Sequence, residues 1–269
     1  MKQVELVPVM GTVVSIDVRT PVRPEGFREA VEAVAVRLHE IDDMFSPWRS
    51  DSWVSRLISG VLVPEDCPLE VQRVVELSVQ MRELTDGFFS PYWRRRPYGN
   101  PGPDPTGLVK GWAAQQASDL LVAQGLPDHA VNAAGDVVVS GRSAPGDPDC
   151  AWHIGISDPH HDRALAGVVN LDQGAARWAV ATSGTAELGA HVGDPHTGRF
   201  PRSVASATAV TPIEECEGAA VADACATALV AAGEGARVLL EGLSGHGVEL
   251  LLIERDGSVH DPRGMLAPA

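Results

Sequence analysis

Apolar and polar residues follow two periods along the chain, and these periods predict its helices and strands. Apolar side chains recur every three or four residues over 24–45 and 69–85, which predicts two amphipathic helices. Further helices are predicted at 112–124 and 217–232, where glycine follows or precedes a run of small and apolar residues. Alternating or short apolar runs predict strands within 3–18, broken at 8–12, and at 130–140, 152–156, 165–171, 177–182, 203–211 and 248–254.

The order of these elements predicts the fold class. Helices and strands are interspersed without a strict alternation of strand, helix and strand, so we expect an α+β fold of mixed, largely antiparallel sheets with packed helices. A chain of 269 residues can bury a full core, and it contains no internal repeat or low-complexity segment. We therefore interpret residues 1–269 as one large domain.

Composition excludes some classes of function. Hydrophobic residues make up 44% of the chain and the net charge is -15, so we expect no binding to a nucleic-acid backbone, which requires clustered lysine and arginine. The four cysteines are scattered, without the spacing of a zinc site or a disulfide framework. No apolar stretch approaches the ~18 residues of a membrane span, and the start lacks the pattern of a signal peptide. We expect a cytoplasmic protein without membrane insertion.

The stretch 103–141 contains residue types that suit a phosphate. A loop carrying Asp104, Gly107 and Lys110 precedes a predicted helix, and glycine, lysine and a helix start all favour a bound anion. The alternative is a solvated lysine, since neither GxxxxGK[ST] nor GxGxxG is present. The strand predicted at 130–140 is interrupted by polar and small residues, and polar groups in a strand usually need a partner.

A second candidate site lies on the predicted helix 217–232. Asp223 and Thr227 are four residues apart, so their carboxylate and hydroxyl project from the same face. Carboxylates and neutral oxygens are ligands of hard cations such as Mg²⁺ or Ca²⁺. An aspartate on an alanine-rich, half-buried helix also requires a counter-charge.

Several segments keep two interpretations. Met10, at a turn, is either a core residue or a cover for a flat ring, and Phe45 with Trp48 forms either a helix-capping cluster or a stacking platform for a ligand. The arginines at 94–96 are a solvated surface or a patch for an anionic ligand or an acidic partner. The histidines at 160–161 have no third ligand near in sequence, which favours a solvated turn over a metal site.

Seven motifs, in order, resemble those of the FAD:protein FMN transferases, the ApbE family. They are M-G-T at 10–12, D-P-T-G-L-V-K-G at 104–111, V-N-A-A-G-D at 131–136, W-H-I-G-I-S-D-P at 152–159, A-T-S-G at 181–184, H-V-G-D-P-H-T-G at 191–198 and A-D-A-C-A-T at 222–227. The resemblance implies the family's T-fold-like α+β architecture. It also implies Mg²⁺-dependent transfer of FMN from FAD to a threonine or serine hydroxyl of a target flavoprotein that carries a flavinylation motif, with release of AMP.

The resemblance further implies roles for single residues. Asp223 and Thr227 match the metal-binding side chains, and Gly107 matches the residue whose carbonyl completes the ligand set. His191 begins the H-V-G-D-P motif and is the candidate to orient or deprotonate the incoming hydroxyl. Loss of Asp223 is expected to be more damaging than loss of His191. The positions that match FAD contacts are Met10, Trp48, Asp104, Lys110, Val192 and Gly193.

Four residues depart from the family's pattern and keep alternatives open. Trp48 replaces a tyrosine, Ala134 a glycine, Gln115 an aspartate, and Ser90 lies in an altered D-G-x-F-D-P-T segment. Two other activities fit the same residues. One is an FAD pyrophosphatase that yields FMN and AMP, and the other is an FAD-binding protein without turnover.

Overall fold

The computed structural model describes residues 3–147, 150–171, 176–184, 192–214 and 217–268, with the backbone alone for Arg96 and Pro97. The strands are β1 (Gln3–Val9), β2 (Thr12–Val18), β3 (His129–Ala133), β4 (Asp136–Ser140), β5 (Trp152–Ser157), β6 (Leu165–Leu171), β7 (Arg177–Gly184), β8 (Val204–Pro212), β9 (Glu249–Glu254), β10 (Val259–His260) and β11 (Leu266–Ala267). The helices are α1 (Pro24–Phe45), α2 (Trp53–Ile58), α3 (Leu69–Leu84), α4 (Arg95–Tyr98), α5 (Val109–Ala123), α6 (Gly218–Ala232) and α7 (Ala236–Leu243).

Two antiparallel sheets form the β structure. The larger has the order β1-β2-β3-β4-β7-β8-β9-β10 and the smaller β11-β6-β5, and each pairing in the described part is antiparallel. Successive side chains of the large sheet enter different layers. Val138 joins the apolar cluster beneath the helices, whereas Val139 joins the cluster beneath the small sheet. The predicted α+β class is confirmed.

Two tight turns lie side by side at one end of the strands of the large sheet. Met10 and Gly11 join β1 to β2, Ala134 and Gly135 join β3 to β4, and all four have positive φ, at 54°, 69°, 54° and 97°. Because Val14 pairs with Ala133, the two turns are neighbours. The end of β7 lies beside them, since a Cβ on Gly135 would be 3.6 Å from the Thr182 carbonyl oxygen. We call residues 10–11, 134–136 and 182–184 the turn edge.

At and near the turn edge, the structure differs from two sequence predictions. The predicted strand 130–140 is a hairpin, β3 and β4, because its small central residues form a turn. Helix α5 begins at Val109 rather than at 112, so Lys110 and Gly111 lie in its first turn and not in a loop. The prediction for α1 matches its observed bounds, while α2, α4 and α7 were not predicted.

Helix α6 lies in the core. The segment Gly218–Leu243, which contains α6 and α7, is long enough for a membrane span, and its most apolar 18-residue window has a mean hydropathy of 1.2, contrary to our expectation that no stretch would qualify. However, 72% of its most apolar window is buried inside the fold. Its composition follows from packing on β7, β8 and α5, as in a core helix.

Candidate functional site

Two buried carboxylates meet the first turn of α5 at the turn edge. Asp223, on α6, is 2% exposed, and its Oδ2 accepts a hydrogen bond from the Gly111 N–H over 3.1 Å. Asp136, the first residue of β4, is also 2% exposed and forms an ion pair with Lys110. The close approach requires a glycine at 111, because a Cβ there would lie 2.3 Å from the Ala219 carbonyl oxygen and 2.9 Å from Cβ of Asp223.

The electrostatics of this centre favour an added cation. Burial, and after it the Asp136 carboxylate, raise the pKa of Asp223 to about 7 against the opposing effects of Lys110 and the Gly111 N–H. Burial also raises the pKa of Asp136, although Lys110 opposes it. Within the described residues, Asp136 Oδ1 is buried without a hydrogen-bond partner. Two carboxylates therefore share one ammonium group.

Neutral oxygens lie next to Asp223. Thr227, one helical turn further along α6, places its Oγ1 3.5 Å from the Gly107 carbonyl oxygen and 3.1 Å from Ser183 Oγ. In the described part of the chain, no three histidine, cysteine or acidic side chains are grouped so that together they could hold a metal ion. A cation here would therefore depend on one carboxylate, a hydroxyl and a carbonyl, and such hard oxygen donors fit Mg²⁺ or Ca²⁺ rather than Zn²⁺.

Asp104 organises the loop before α5. Its Oδ1 accepts hydrogen bonds from the N–H and Oγ1 of Thr106 over 3.0 and 2.6 Å. Its Oδ2 accepts one from Trp93 Nε1 over 3.2 Å and forms an ion pair with Arg94. Both carboxylate oxygens are thus satisfied by the protein, so a contact between Asp104 and FAD stays a prediction.

Arg94 faces inward and is not part of a solvated run, whereas Arg95 is exposed and stacks 4.1 Å from the Tyr92 ring centre.

The other predicted FAD contacts differ in exposure. Met10 is partly buried against the core beneath the helices, and its left-handed turn places it at the turn edge. Trp48 is 90% exposed, so it takes no part in a capping cluster, although Phe45 packs 5.5 Å from the ring of Trp112 in α5.

Val192 and Gly193 both lie close to other parts of the protein. Val192 packs on the core, and a Cβ on Gly193 would be 3.5 Å from the rings of both Trp93 and Phe200. His191 lies outside the described residues.

The structure shows the contacts or the backbone conformation of three of the departures. Gln115 is buried, and its Oε1 accepts a hydrogen bond from the Ala219 N–H over 3.0 Å, which caps the start of α6. Ser90 Oγ accepts one from the Tyr92 N–H over 3.1 Å. Ala134 takes the left-handed conformation that glycine adopts without strain.

The histidine pair behaves as a solvated turn. His161 is exposed, and its ring contacts Asp158 over 2.9 Å, while His160 contacts the Glu254 carbonyl oxygen over 3.1 Å. No third metal ligand joins them among the described residues.

Asp136 and Ser183 were not assigned from the sequence. Both lie in quoted motifs, and the polar interruption of the predicted strand 130–140 was the available signal for Asp136. What could not be seen was the pairing of β4 with β7, which places Asp136 beside the end of β7 and Ser183.

Comparisons with known proteins identify the family and agree with the fold. The profile of the ApbE family matches residues 10–95 and 103–252. A solved ApbE protein from Thermotoga maritima is 23% identical with a TM-score of 0.78, and the match covers 98% of this chain and 97% of that one. The flavin transferase ApbE from Vibrio cholerae is 19% identical, with a TM-score of 0.75 over 97% of this chain and 96% of that one. The flavinyl transferase ApbE from Pseudomonas stutzeri, in its apo form, is 20% identical, with a TM-score of 0.75 over 98% and 96%. A comparison with curated proteins gave no match.

Proposed function

The chain belongs to the ApbE family, and on that premise we propose that it is a flavin transferase that moves FMN from FAD to an acceptor flavoprotein. The solved relatives named as flavin transferases share its fold. One observation carries the proposal for this chain. Asp223 and Thr227 of α6 and the carbonyl of Gly107 converge beside Lys110, an arrangement suited to a divalent cation and a pyrophosphate.

We propose the following reaction. The hydroxyl oxygen of a threonine or serine in the acceptor's flavinylation motif forms a bond to the FMN phosphorus of FAD, the pyrophosphate bond to AMP breaks, and AMP leaves with the electron pair. The hydroxyl proton is taken up by a base. From the resemblance alone, we assign that base to His191.

The described residues would hold the reactants and balance their charge. Bound Mg²⁺ would neutralise charge on the pyrophosphate and polarise the phosphorus under attack. Asp223, Thr227 and Gly107 supply oxygen ligands for it, and Ser183 keeps the Thr227 hydroxyl in place through their 3.1 Å contact. The side chain of Lys110 is 39% exposed, so its ammonium can contact an anion entering at the turn edge.

Further contacts with FAD are proposed from the resemblance. Trp48 offers an exposed indole face that a flavin or adenine ring could cover, and Met10 offers a thioether at the turn edge. Asp104, Val192 and Gly193 complete the proposed FAD contacts.

We also propose a cytoplasmic location. Cys67 and Cys225 are buried and unpaired, as is usual in a reducing compartment.

The decisive experiment follows AMP and acceptor mass together. The protein is incubated with FAD and Mg²⁺, with and without an acceptor domain that carries the threonine motif. AMP together with an FMN-sized mass gain supports the transferase, and loss of both on chelation supports the metal. AMP without the mass gain indicates the pyrophosphatase, while FAD binding without AMP indicates a binding protein. Either result would refute transfer.

Two variants test the assigned residues in the same assay. Asp223→Asn removes the charged ligand, and we expect it to abolish metal-dependent turnover, a larger effect than the loss of His191. His191→Gly is expected to slow turnover by about 10²- to 10⁴-fold, the usual contribution of a general base, with FAD binding retained. Asp17→Asn is the control, because Asp17 pairs with Arg19 at the opposite end of the same sheet. Full activity in Asp223→Asn would contradict the metal assignment.

A further inference from the structure

We propose that Asp136 is a positioning residue that fixes the ammonium group of Lys110 where it meets the pyrophosphate of FAD. The inference rests on the proposed function, since FAD supplies that pyrophosphate. It assigns to Asp136 a role that the resemblance did not imply.

Asp136 and Lys110 differ in how firmly the structure holds their charged groups. Asp136 follows the turn at 134–135 and belongs to a strand that is paired on both sides, with Ala133 opposite it in β3 and Val137 opposite Val180 in β7. Its backbone is therefore held firmly. Lys110 has a flexible four-carbon stem and a partly exposed side chain, so its ammonium has more rotational freedom than the Asp136 carboxylate. An ion pair with a fixed carboxylate removes that freedom before FAD arrives.

The pair is poorly explained as a stabilising feature of the fold. Asp136 is almost fully buried, and its Oδ1 has no partner among the described residues. Burying a carboxylate with an unsatisfied oxygen destabilises a fold. If Asp136 is replaced by asparagine, the buried carboxylate is removed, and the Lys110 side chain, which is 39% exposed, keeps its access to solvent. Stability should therefore be retained while the position of the ammonium is lost.

A double-mutant cycle on FAD affinity tests the inference. Wild type, Asp136→Asn, Lys110→Met and the double variant are titrated into FAD in the presence of a chelator, and the dissociation constant is taken from flavin fluorescence anisotropy. We expect Asp136→Asn to weaken binding by about tenfold, within the usual range of coupling between contacting residues. The same change should have no further effect once Lys110 is methionine. Asp17→Asn should bind FAD as the wild type does.

The outcomes separate this inference from the proposed function. Additive effects of the two substitutions would overturn it, as would unchanged FAD affinity in Asp136→Asn or a melting temperature that falls in step with affinity. Coupled effects without AMP release in the wild type would support Asp136 and refute transfer. AMP release with additive effects would refute Asp136 alone, and an absence of FAD binding would overturn both.

Discussion

Two buried polar clusters lie at opposite ends of the β3–β4 hairpin, and they are built differently. In the His129 cluster, Nδ1–H of His129 donates to the Leu126 carbonyl oxygen over 2.7 Å, and Nε2 accepts from Ser118 Oγ over 2.8 Å. Ser118 Oγ accepts from Arg177 over 3.0 Å, and Arg177 pairs with Asp119 over 2.7 Å. At the other end, the Asp136 cluster places Asp136 and Asp223 around Lys110.

The two clusters differ in the balance of their charges and in how completely their buried polar atoms are hydrogen-bonded. The His129 cluster pairs one carboxylate with one guanidinium and occupies both ring nitrogens of a neutral imidazole, and only Nε of Arg177 lacks an acceptor among the described residues. The Asp136 cluster has two carboxylates for one ammonium and an unpartnered Oδ1. Buried polar groups that serve the fold are satisfied within it. An excess of acceptors at the ends of these strands therefore indicates a site that a ligand completes.

The largest expected effect is on the pH dependence of stability, to which His129 and Asp223 should contribute with opposite signs. Burial lowers the pKa of His129 to about 4 from 6.5, so the unfolded chain takes up the proton first on acidification. Stability is then lost as pH falls from 6.5 to 4, by about 3 kcal/mol. The pKa of Asp223 is raised to about 7 from 3.8, so its contribution to stability is present at low pH and is lost as pH rises through that window.

Urea unfolding at pH 4.5 and 7.5 measures both effects. Relative to the wild type, His129→Gln should lose less stability on acidification, and Asp223→Asn should lose less on going to the higher pH. Each variant is compared with itself at the two pH values, which removes any general effect of the substitution. If both variants had the same pH dependence of stability, the proposed contrast between the two clusters would be wrong.

A smaller effect is expected from crowding the Asp136 cluster. Gly111→Ala places a methyl group against the Ala219 backbone and Asp223, so α5 and α6 must move apart. We expect a loss of roughly 1–3 kcal/mol in the free energy of unfolding. Gly242→Ala is the matched control, because that helical glycine has no atom within 4 Å of the added Cβ, and it should gain roughly 0.5–1 kcal/mol. Chemical denaturation of both variants provides the test, and equal stability changes would argue against tight contact at Gly111.

The smallest effect concerns Gln115, which lies between the two clusters on α5. Gln115→Ala removes the acceptor for the Ala219 N–H and should cost about 1 kcal/mol, as the loss of a helix cap does. The neighbouring Gln116→Ala loses only a 3.4 Å contact with Arg37 and should change stability by less than about 0.5 kcal/mol. Thermal unfolding would rank them, and an equal or reversed ranking would show that Gln115 does not cap α6.

Sequence patterns predicted the long elements better than the site. The bounds of α1 follow from its apolar spacing, because one continuous face packs on the core. The start of α5 was misplaced, since Lys110 and Gly111 carry no apolar signal and their helical state depends on contacts with α6. The interruption in 130–140 was noticed, but its meaning as a turn depends on strand pairing.

By itself, the sequence determined the period of each element, the acidic charge and an ordered set of motifs that identify the family. Those properties are local, because each depends on residues a few positions apart. Only the tertiary structure decided which polar groups meet: Lys110 with Asp136, 26 residues away, and Gly111 with Asp223, 112 residues away. Strand register and the crossing of α5 and α6 bring them together, and both result from burying apolar surface across the whole chain.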